Sequence, residues 1–319
     1  MEIGGFLELE TTYGKEYHSG AIRLNSGRNC LAYLIEVKNI ESIALPYFIC
    51  SSVIDVCKQY EIQIQPYTID RDFHPQLKDL SMNDAYLYIV NYYGQLSNEF
   101  ITRISKQYPK VIIDNAQAFF QPPVPNIDTL YTCRKFFGVP DGAYLYTDAV
   151  LEHELQQDLS FQRMQHLLGR FEETASRHYF EFTDNEKLLA HTPLKKMSKL
   201  TLNLLRGIDY ERIQQRRNEN FLALHEALGE SNQLLLEVPE APFAYPLLVE
   251  NATQLKEELL KRKIYIPTLW PNVVQNCDAK SFAYNYAKNI LPIPCDQRYT
   301  LGEIEYLLTI YKQVALLCN

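Results

Sequence analysis

Short apolar and β-branched runs alternate with stretches of helical periodicity through the first 150 or so residues of the chain. Ser42 to Leu45, Ile62 to Pro66, Tyr86 to Asn91, Val111 to Asp114, Thr129 to Cys133 and Ala143 to Thr147 read as strands. Between them, apolar residues recur at helical spacing over Asn29 to Lys38, Ser51 to Tyr60 and Asn98 to Gln107, which predicts helices. Alternation of this kind implies an α/β layer built on a mostly parallel sheet. In such sheets ligands sit at the carboxyl ends of the strands. Asn91, Asp114 and Lys135 all fall at or just after predicted strand ends, so the pattern predicts that they share one crevice.

Beyond Asp148 the pattern turns to long polar helices, Ala149 to Glu173 and Leu194 to Leu228, the second interrupted at Gly207-Ile208-Asp209. A strand at Phe243 to Val249, a helix at Thr253 to Arg262, a strand at Ile264 to Ile266 and a closing helix at Thr300 to Leu317 are expected to follow. Thr300 and Glu303 form a capping-box signature at the start of that last helix. The tail therefore reads as a smaller α+β domain. The boundary is placed near Leu205, giving a large domain over residues 1–205 and a small one over 206–319.

Composition narrows the setting. With 319 residues, 46% of them hydrophobic, there is enough material for two cores. No apolar run approaches the roughly 20 residues of a membrane helix, and the start, Met1 to Glu8, lacks the basic and apolar blocks of a signal peptide. A cytoplasmic location without membrane attachment is expected. A net charge of -8 disfavours nucleic acid as a partner. The seven cysteines are scattered without a C-x-x-C pair, and the seven histidines show no ligand spacing, so neither a disulfide frame nor a metal site is expected.

The candidate chemistry lies in two segments. Val111-Ile112-Ile113-Asp114 ends an apolar run on a carboxylate, and Tyr131-Thr132-Cys133-Arg134-Lys135-Phe136-Phe137-Gly138 sets a lysine in an apolar, glycine-bearing turn. A carboxylate beside a pyridine nitrogen and a lysine amine that can form a Schiff base are the two groups a pyridoxal phosphate site needs. Such a lysine becomes a useful base only where apolar surroundings or a neighbouring cation lower its pKa, and Phe136, Phe137 and Arg134 offer both. Upstream, Ser26-Gly27-Arg28-Asn29 leads into an apolar helix, a junction whose free N–H groups favour a phosphate.

Each of these residues also has a plain structural explanation. Ser26 can be a helix N-cap, Asp114 a turn residue, Phe48 a core aromatic, and Gln117 a partner for backbone groups. Trp270, the only tryptophan, reads first as a plug between domains, and Arg216-Arg217 as a solvated helix face.

In combination the segments resemble the sugar aminotransferases of the DegT/DnrJ/EryC1/StrS family, pyridoxal phosphate enzymes of fold type I, over nearly the whole chain. Ser26-Gly27-Arg28 stands where the family has a Ser-Gly-Thr phosphate loop. Pro46 to Ser51 is similar to the segment whose aromatic residue stacks on the cofactor ring, which points to Phe48. Asn91 to Gln95 looks like the turn after the next strand. Asp114-Asn115-Ala116-Gln117-Ala118 matches Asp-x-Ala-Gln-Ala, whose Asp meets the pyridine nitrogen and whose Gln lies near the phenolic oxygen. Lys135 looks like the Schiff-base lysine, with Thr132 in place of a phosphate-binding Ser. Phe243 to Pro246, Ile264 to Pro271 and Leu291 to Pro294 resemble parts of the family's C-terminal domain.

The resemblance implies an aspartate aminotransferase-like fold and pyridoxal 5'-phosphate held by Ser26, Gly27, Arg28, Phe48, Asp114, Gln117, Thr132 and Lys135. It implies Lys135 and Asp114 as catalytic residues, glutamate as amino donor, a nucleotide-linked keto sugar as acceptor, and a homodimer. Two departures stand out: Phe119 to Pro125 is compressed relative to the family, and no asparagine-bearing loop is evident over Tyr179 to Leu200. A non-catalytic homologue that keeps the fold as a binding or regulatory module is the alternative. Retention of Asp114 and Lys135 argues against it.

Overall fold

The computed structural model describes residues 3–78, 80 and 84–318. Its main sheet has eight strands in the order β1-β8-β7-β6-β5-β2-β3-β4. These are β1 (Ile22–Leu24), β2 (Ser42–Pro46), β3 (Gln63–Ile69), β4 (Pro75–Gln76), β5 (Tyr86–Val90), β6 (Val111–Asp114), β7 (Asp128–Thr132) and β8 (Ala143–Tyr146). Strands β3, β2, β5, β6 and β7 run parallel, while β8, β1 and β4 pair antiparallel with their neighbours. The predicted mostly parallel α/β sheet is thus present, and the register of β5 on β6 and of β6 on β7 aligns the ends from which Asn91, Asp114 and Lys135 emerge. The edge strand β1 was not anticipated, because three residues carry no readable period.

Helices α1 (Gly27–Lys38), α2 (Ser51–Gln59) and α3 (Asn98–Gln107) follow β1, β2 and β5. Leu31 and Leu34 of α1, Val53 and Val56 of α2, and Ile101 and Ile104 of α3 join the inner strands in the main core. α2 and α3 begin where the periodicity places them, and α1 starts two residues earlier than the expected Asn29. Ser26 caps α1 by accepting from the Asn29 N–H, and Ser97 caps α3 in the same way from Phe100.

The stretch after β8 departs from expectation. Ala149 to Glu173 is not one helix, because its first part is irregular chain with one bridge at Gln157 and a 3-10 turn at Phe161–Arg163, and only α4 (Gln165–Glu172) is α-helical. The cause is long-range: Lys196 takes backbone hydrogen bonds with Gln156 and Asp158 and bridges to Leu24, so two segments expected to be helical are drawn into bridge pairing. α5 (Tyr179–Ala190) lies between them. The predicted helix from Leu194 to Leu228 is likewise two, α6 (Lys199–Arg206) and α7 (Tyr210–Leu228), capped by Ser198 and Asp209.

The remainder builds a second core around α7. Phe221, Leu224 and Leu228 pack with β9 (Tyr245–Leu248), α8 (Ala252–Lys261), β10 (Ile290–Ile293) and α11 (Leu301–Cys318). The strand expected at Ile264 to Ile266 is absent; β10 takes its place, pairing antiparallel with β9. Pro292 masked β10, since proline within a short run argues against a strand. α9 (Pro271–Asn276) and α10 (Phe282–Asn289) lean instead on the main core, through Val273, Ala283 and Tyr286. Glu303 reaches back to the Thr300 N–H at 2.8 Å, as the capping-box signature predicts. No described helix is long and apolar enough to cross a membrane.

Candidate active site

Asp114 closes β6, buried to 9% exposure, with both carboxylate oxygens engaged. The Tyr88 hydroxyl donates to Oδ2 at 2.8 Å and the Ala116 N–H donates to Oδ1 at 2.9 Å. Burial, reinforced by the Asp114 charge, holds the Tyr88 phenol well above its ordinary pKa, so it remains a donor. One residue beyond Ala116, Gln117 is also buried. Its Oε1 accepts from the Tyr93 N–H at 2.8 Å, which fixes the amide and leaves Nε2 as a buried donor with no partner among the described residues. Tyr93 can present that N–H because its φ of 54° turns the chain sharply after β5.

A second turn, following β7, carries Lys135. The Phe136 and Phe137 N–H groups both donate to the Cys133 carbonyl, at 3.0 and 2.9 Å. Just downstream, Asp141 is fully buried and accepts from the Ser198 N–H at 2.8 Å, from the Ser198 hydroxyl at 2.7 Å, and from the Thr201 hydroxyl. Gly142 has a φ of +115°, and a Cβ there would lie 2.9 Å from Thr201 Cγ2, so this tie requires glycine. Lys135 itself is exposed, with the Phe243 ring 5.7 Å from its Nζ. Burial, aided by the Arg134 charge, lowers its pKa; Asp114 and Cys50 pull the other way.

The third element is the start of α1. A Cβ on Gly27 would come within 2.5 Å of Thr132 Cγ2, so only glycine lets the helix N-terminus abut the end of β7. Thr132 in turn donates to the Ala116 carbonyl at 3.4 Å, which ties the two turns together. Arg28 Nη1 is buried without a partner among the described residues. Burial lowers the pKa of Arg28, and lowers that of Arg134 to about 10 with a further contribution from Arg28. Arg134 pairs with Glu186 of α5. Two arginines, a helix N-terminus and Lys135 therefore converge on one place, a field that favours an anion.

Of the residues singled out from the sequence, Ser26, Gly27, Arg28, Asp114, Gln117, Thr132 and Lys135 gather around these turns. The Ser26 hydroxyl is taken up as the α1 cap. Phe48 lies apart. It is fully buried, stacked on Tyr92 at 4.9 Å and packed on Trp270 at 4.4 Å, so its ring opens no face to the cleft. Trp270 thereby fixes the C-terminal segment onto the main core. The neighbour of Lys135 from this stretch is Cys50, exposed at the start of α2.

The reading of Arg216-Arg217 as a solvated face is corrected for Arg217, which is 1% exposed. Its guanidinium lies 4.6 Å from the Phe136 ring centre and donates to the carbonyls of Phe136 and Pro242. The signal was present: position 217 continues the buried stripe of Phe221, Leu224 and Leu228 by one turn. Tyr88, Asp141 and Gln297 were also missed, and only their tertiary contacts distinguish them. A cleft of about 790 Å³ adjoins Gln117, lined in part by Gly94, Arg103, Ala118 and Pro239.

No protein-family model matches the sequence, and no curated protein matches it. Solved structures do. A DegT/DnrJ/EryC1/StrS aminotransferase from Brucella abortus is 14% identical, with a TM-score of 0.64 over 92% of this chain and 86% of its own. A sugar aminotransferase from Micromonospora echinospora is 11% identical, with a TM-score of 0.62 over 92% and 87%. The protein ntda from Bacillus subtilis, solved with the cofactor PMP bound, is 12% identical, with a TM-score of 0.66 over 92% of this chain and 73% of its own. The chain therefore has the fold of these aminotransferases, the fold expected from its sequence.

Proposed function

We propose that the chain is a pyridoxal phosphate-dependent aminotransferase that moves an amino group from glutamate to the keto group of a nucleotide-linked sugar. The observation that carries this reading is that the buried donors Arg28 Nη1 and Gln117 Nε2 have no partner among the described residues, on the elements that bring Asp114 and Lys135 near one another. Buried donors in folded proteins are nearly always satisfied. Orphans on either side of a lysine and a carboxylate fit a ligand bearing an anionic group and a ring oxygen.

Pyridoxal phosphate, when bound, supplies an electron-withdrawing ring that stabilises negative charge on the adjacent carbon. The Gly27 end of α1, Arg28 and Thr132 would hold its phosphate, Gln117 its phenolic oxygen, and Asp114 the proton on its ring nitrogen. Tyr88 and the Ala116 N–H keep Asp114 in position for that task. Lys135 would attach the cofactor and then, as a free amine at Nζ, carry a proton to and from the donor carbon. Its lowered pKa raises the fraction of neutral amine near neutrality. The fully buried Phe48 would contribute by backing this wall through Tyr92 and Trp270.

The cleft beside Gln117 is within the size range of small-molecule sites and would admit the acceptor. We further propose a division into domains at about residue 205, a cytoplasmic location and a homodimer. Phe171, Phe180 and Tyr179, 90%, 72% and 64% exposed, supply apolar surface that a second copy would cover.

The test is spectroscopic. Purified protein mixed with pyridoxal phosphate should gain a visible absorption band that Lys135→Ala lacks, and glutamate should bleach it. Absence of the band from the wild type removes the reading. A band that no keto sugar nucleotide restores after glutamate removes the acceptor assignment alone. Sedimentation at micromolar concentration checks the dimer.

A further inference from the structure

The lysine turn is gripped from the second core. The Phe136 carbonyl, in the Phe136–Phe137 peptide one residue beyond Lys135, accepts from Gln297 Nε2 at 2.7 Å and from Arg217 Nη2 at 3.2 Å. The two donors are themselves joined, since Arg217 Nε donates to Gln297 Oε1 at 2.8 Å. Arg217 Nη1 donates to the Pro242 carbonyl at 2.8 Å, and the next residue, Phe243, sets its ring 5.7 Å from Lys135 Nζ. One guanidinium thus connects the backbone beside the lysine to the aromatic ring against which the amine rests.

The grip is built into the second core. Arg217 and Asn220 lie on one face of α7, and Asn220 Nδ2 donates to the Asp296 and Tyr299 carbonyls, at 3.2 and 2.9 Å, pinning the loop that carries Gln297. Asp296, the nearby carboxylate, is engaged by Arg298 at 2.6 Å. Arg217 therefore spends its donors on carbonyl and amide oxygens, a geometric use that the planar guanidinium fork allows and a lysine does not.

Resting on the cofactor reading above, we propose that Arg217 and Gln297 are positioning residues for Lys135, which couple the packing of the second core to the placement of the amine. They touch neither cofactor nor substrate. Their effect is to hold the Phe136–Phe137 peptide, whose N–H is bonded to the Cys133 carbonyl, and so to keep the turn that carries Lys135 in one conformation. A small displacement of a reacting group is enough to slow a reaction strongly.

The experiment compares Gln297→Leu, Arg217→Lys and, as a control for stability alone, Leu255→Ala in the second core. Each is mixed with pyridoxal phosphate, whose aldehyde condenses with the Lys135 amine and releases water, and the visible band is followed in time and across pH. Gln297→Leu and Arg217→Lys, folded by circular dichroism, are expected to capture the cofactor roughly tenfold more slowly. The pH midpoint of the band should move by about half a unit. Leu255→Ala should lower the melting temperature while leaving rate and midpoint as in the wild type. Should Arg217→Lys fail to fold, Gln297→Leu decides, because it changes no charge and only part of the clamp. Wild-type rate and midpoint in a folded Gln297→Leu would overturn the proposal. A wild type without any band would overturn the cofactor reading, and the proposal with it.

Discussion

The two turns that carry the candidate site differ in what holds them. The Asp114 turn is secured by its own neighbourhood in the sheet: Tyr88 from β5, Tyr93 just after β5, and the Ala116 N–H two residues on. The Lys135 turn is secured by residues far along the chain, with Arg217 and Gln297 on its carbonyl, Phe243 against its amine, and Ser198 and Thr201 on Asp141. The carboxylate thus belongs to the sheet, whereas the lysine depends on the second core having formed. A turn tied locally tolerates change elsewhere; one tied at long range responds to it.

The strongest way to break the comparison is at the local turn. Asp114→Asn keeps shape and removes charge, and is expected to slow the proposed half-reaction with glutamate about a thousandfold while the protein still folds. Stopped-flow loss of the visible band measures this. At the distant clamp, Arg217→Met should lower folding stability by about 3 kcal/mol, because Gln297 Oε1 loses its donor and the buried Pro242 carbonyl keeps only the weak Cys295 thiol at 3.6 Å. Urea denaturation would read it, and a cost below about 1 kcal/mol would contradict the long-range tie.

His18 tests the floor beneath both turns. It is 2% exposed, hydrogen-bonded through Nε2 to the Phe119 carbonyl at 2.8 Å and packed on Tyr131 of β7 at 4.1 Å. Burial pushes its pKa down to about 4, against an ordinary value near ~6.5. The unfolded chain therefore binds the proton first as pH falls. This residue's contribution is complete above about pH 6.5 and is lost progressively as pH drops toward about 4, by roughly 3 kcal/mol at most. Denaturation at a series of pH values, with His18→Phe as reference, should show a shallower slope in the variant over that window. The smallest effect is expected for Tyr88→Phe, about 2 kcal/mol, since Asp114 loses one donor and keeps another. Capture of pyridoxal phosphate by that variant should stay near the wild-type rate. A loss as large as that from the clamp variants would erase the distinction between the turns.

This division also explains what could be read in advance. Val111 to Asp114 and Asn98 to Gln107 were placed residue for residue, because each carries its own period and its own boundary signal. Asp114, Gln117 and Lys135 could be singled out as candidates because they sit where strands end. The burial of Arg217 left only a faint sign, its place on the apolar stripe of α7. Gln297 left none, since nothing local separates it from any polar loop residue. The irregular path after Ala149 and the proline-bearing β10 were misjudged for a related reason: their partners, Lys196 and β9, are distant in the chain. Phe48 stood at a strand end like the others, yet the arrival of Trp270 closed its ring into the core.

The sequence by itself determined the alternation of strand and helix, the strand ends on which chemistry can stand, and the glycine at position 27 without which helix and strand could not meet. Those follow from side-chain period and backbone sterics, which act over a few residues. Only the tertiary structure decided which polar atoms are left without partners, which arginine is buried, and what holds the lysine. These depend on how many partners reach a group once the whole chain has folded around it.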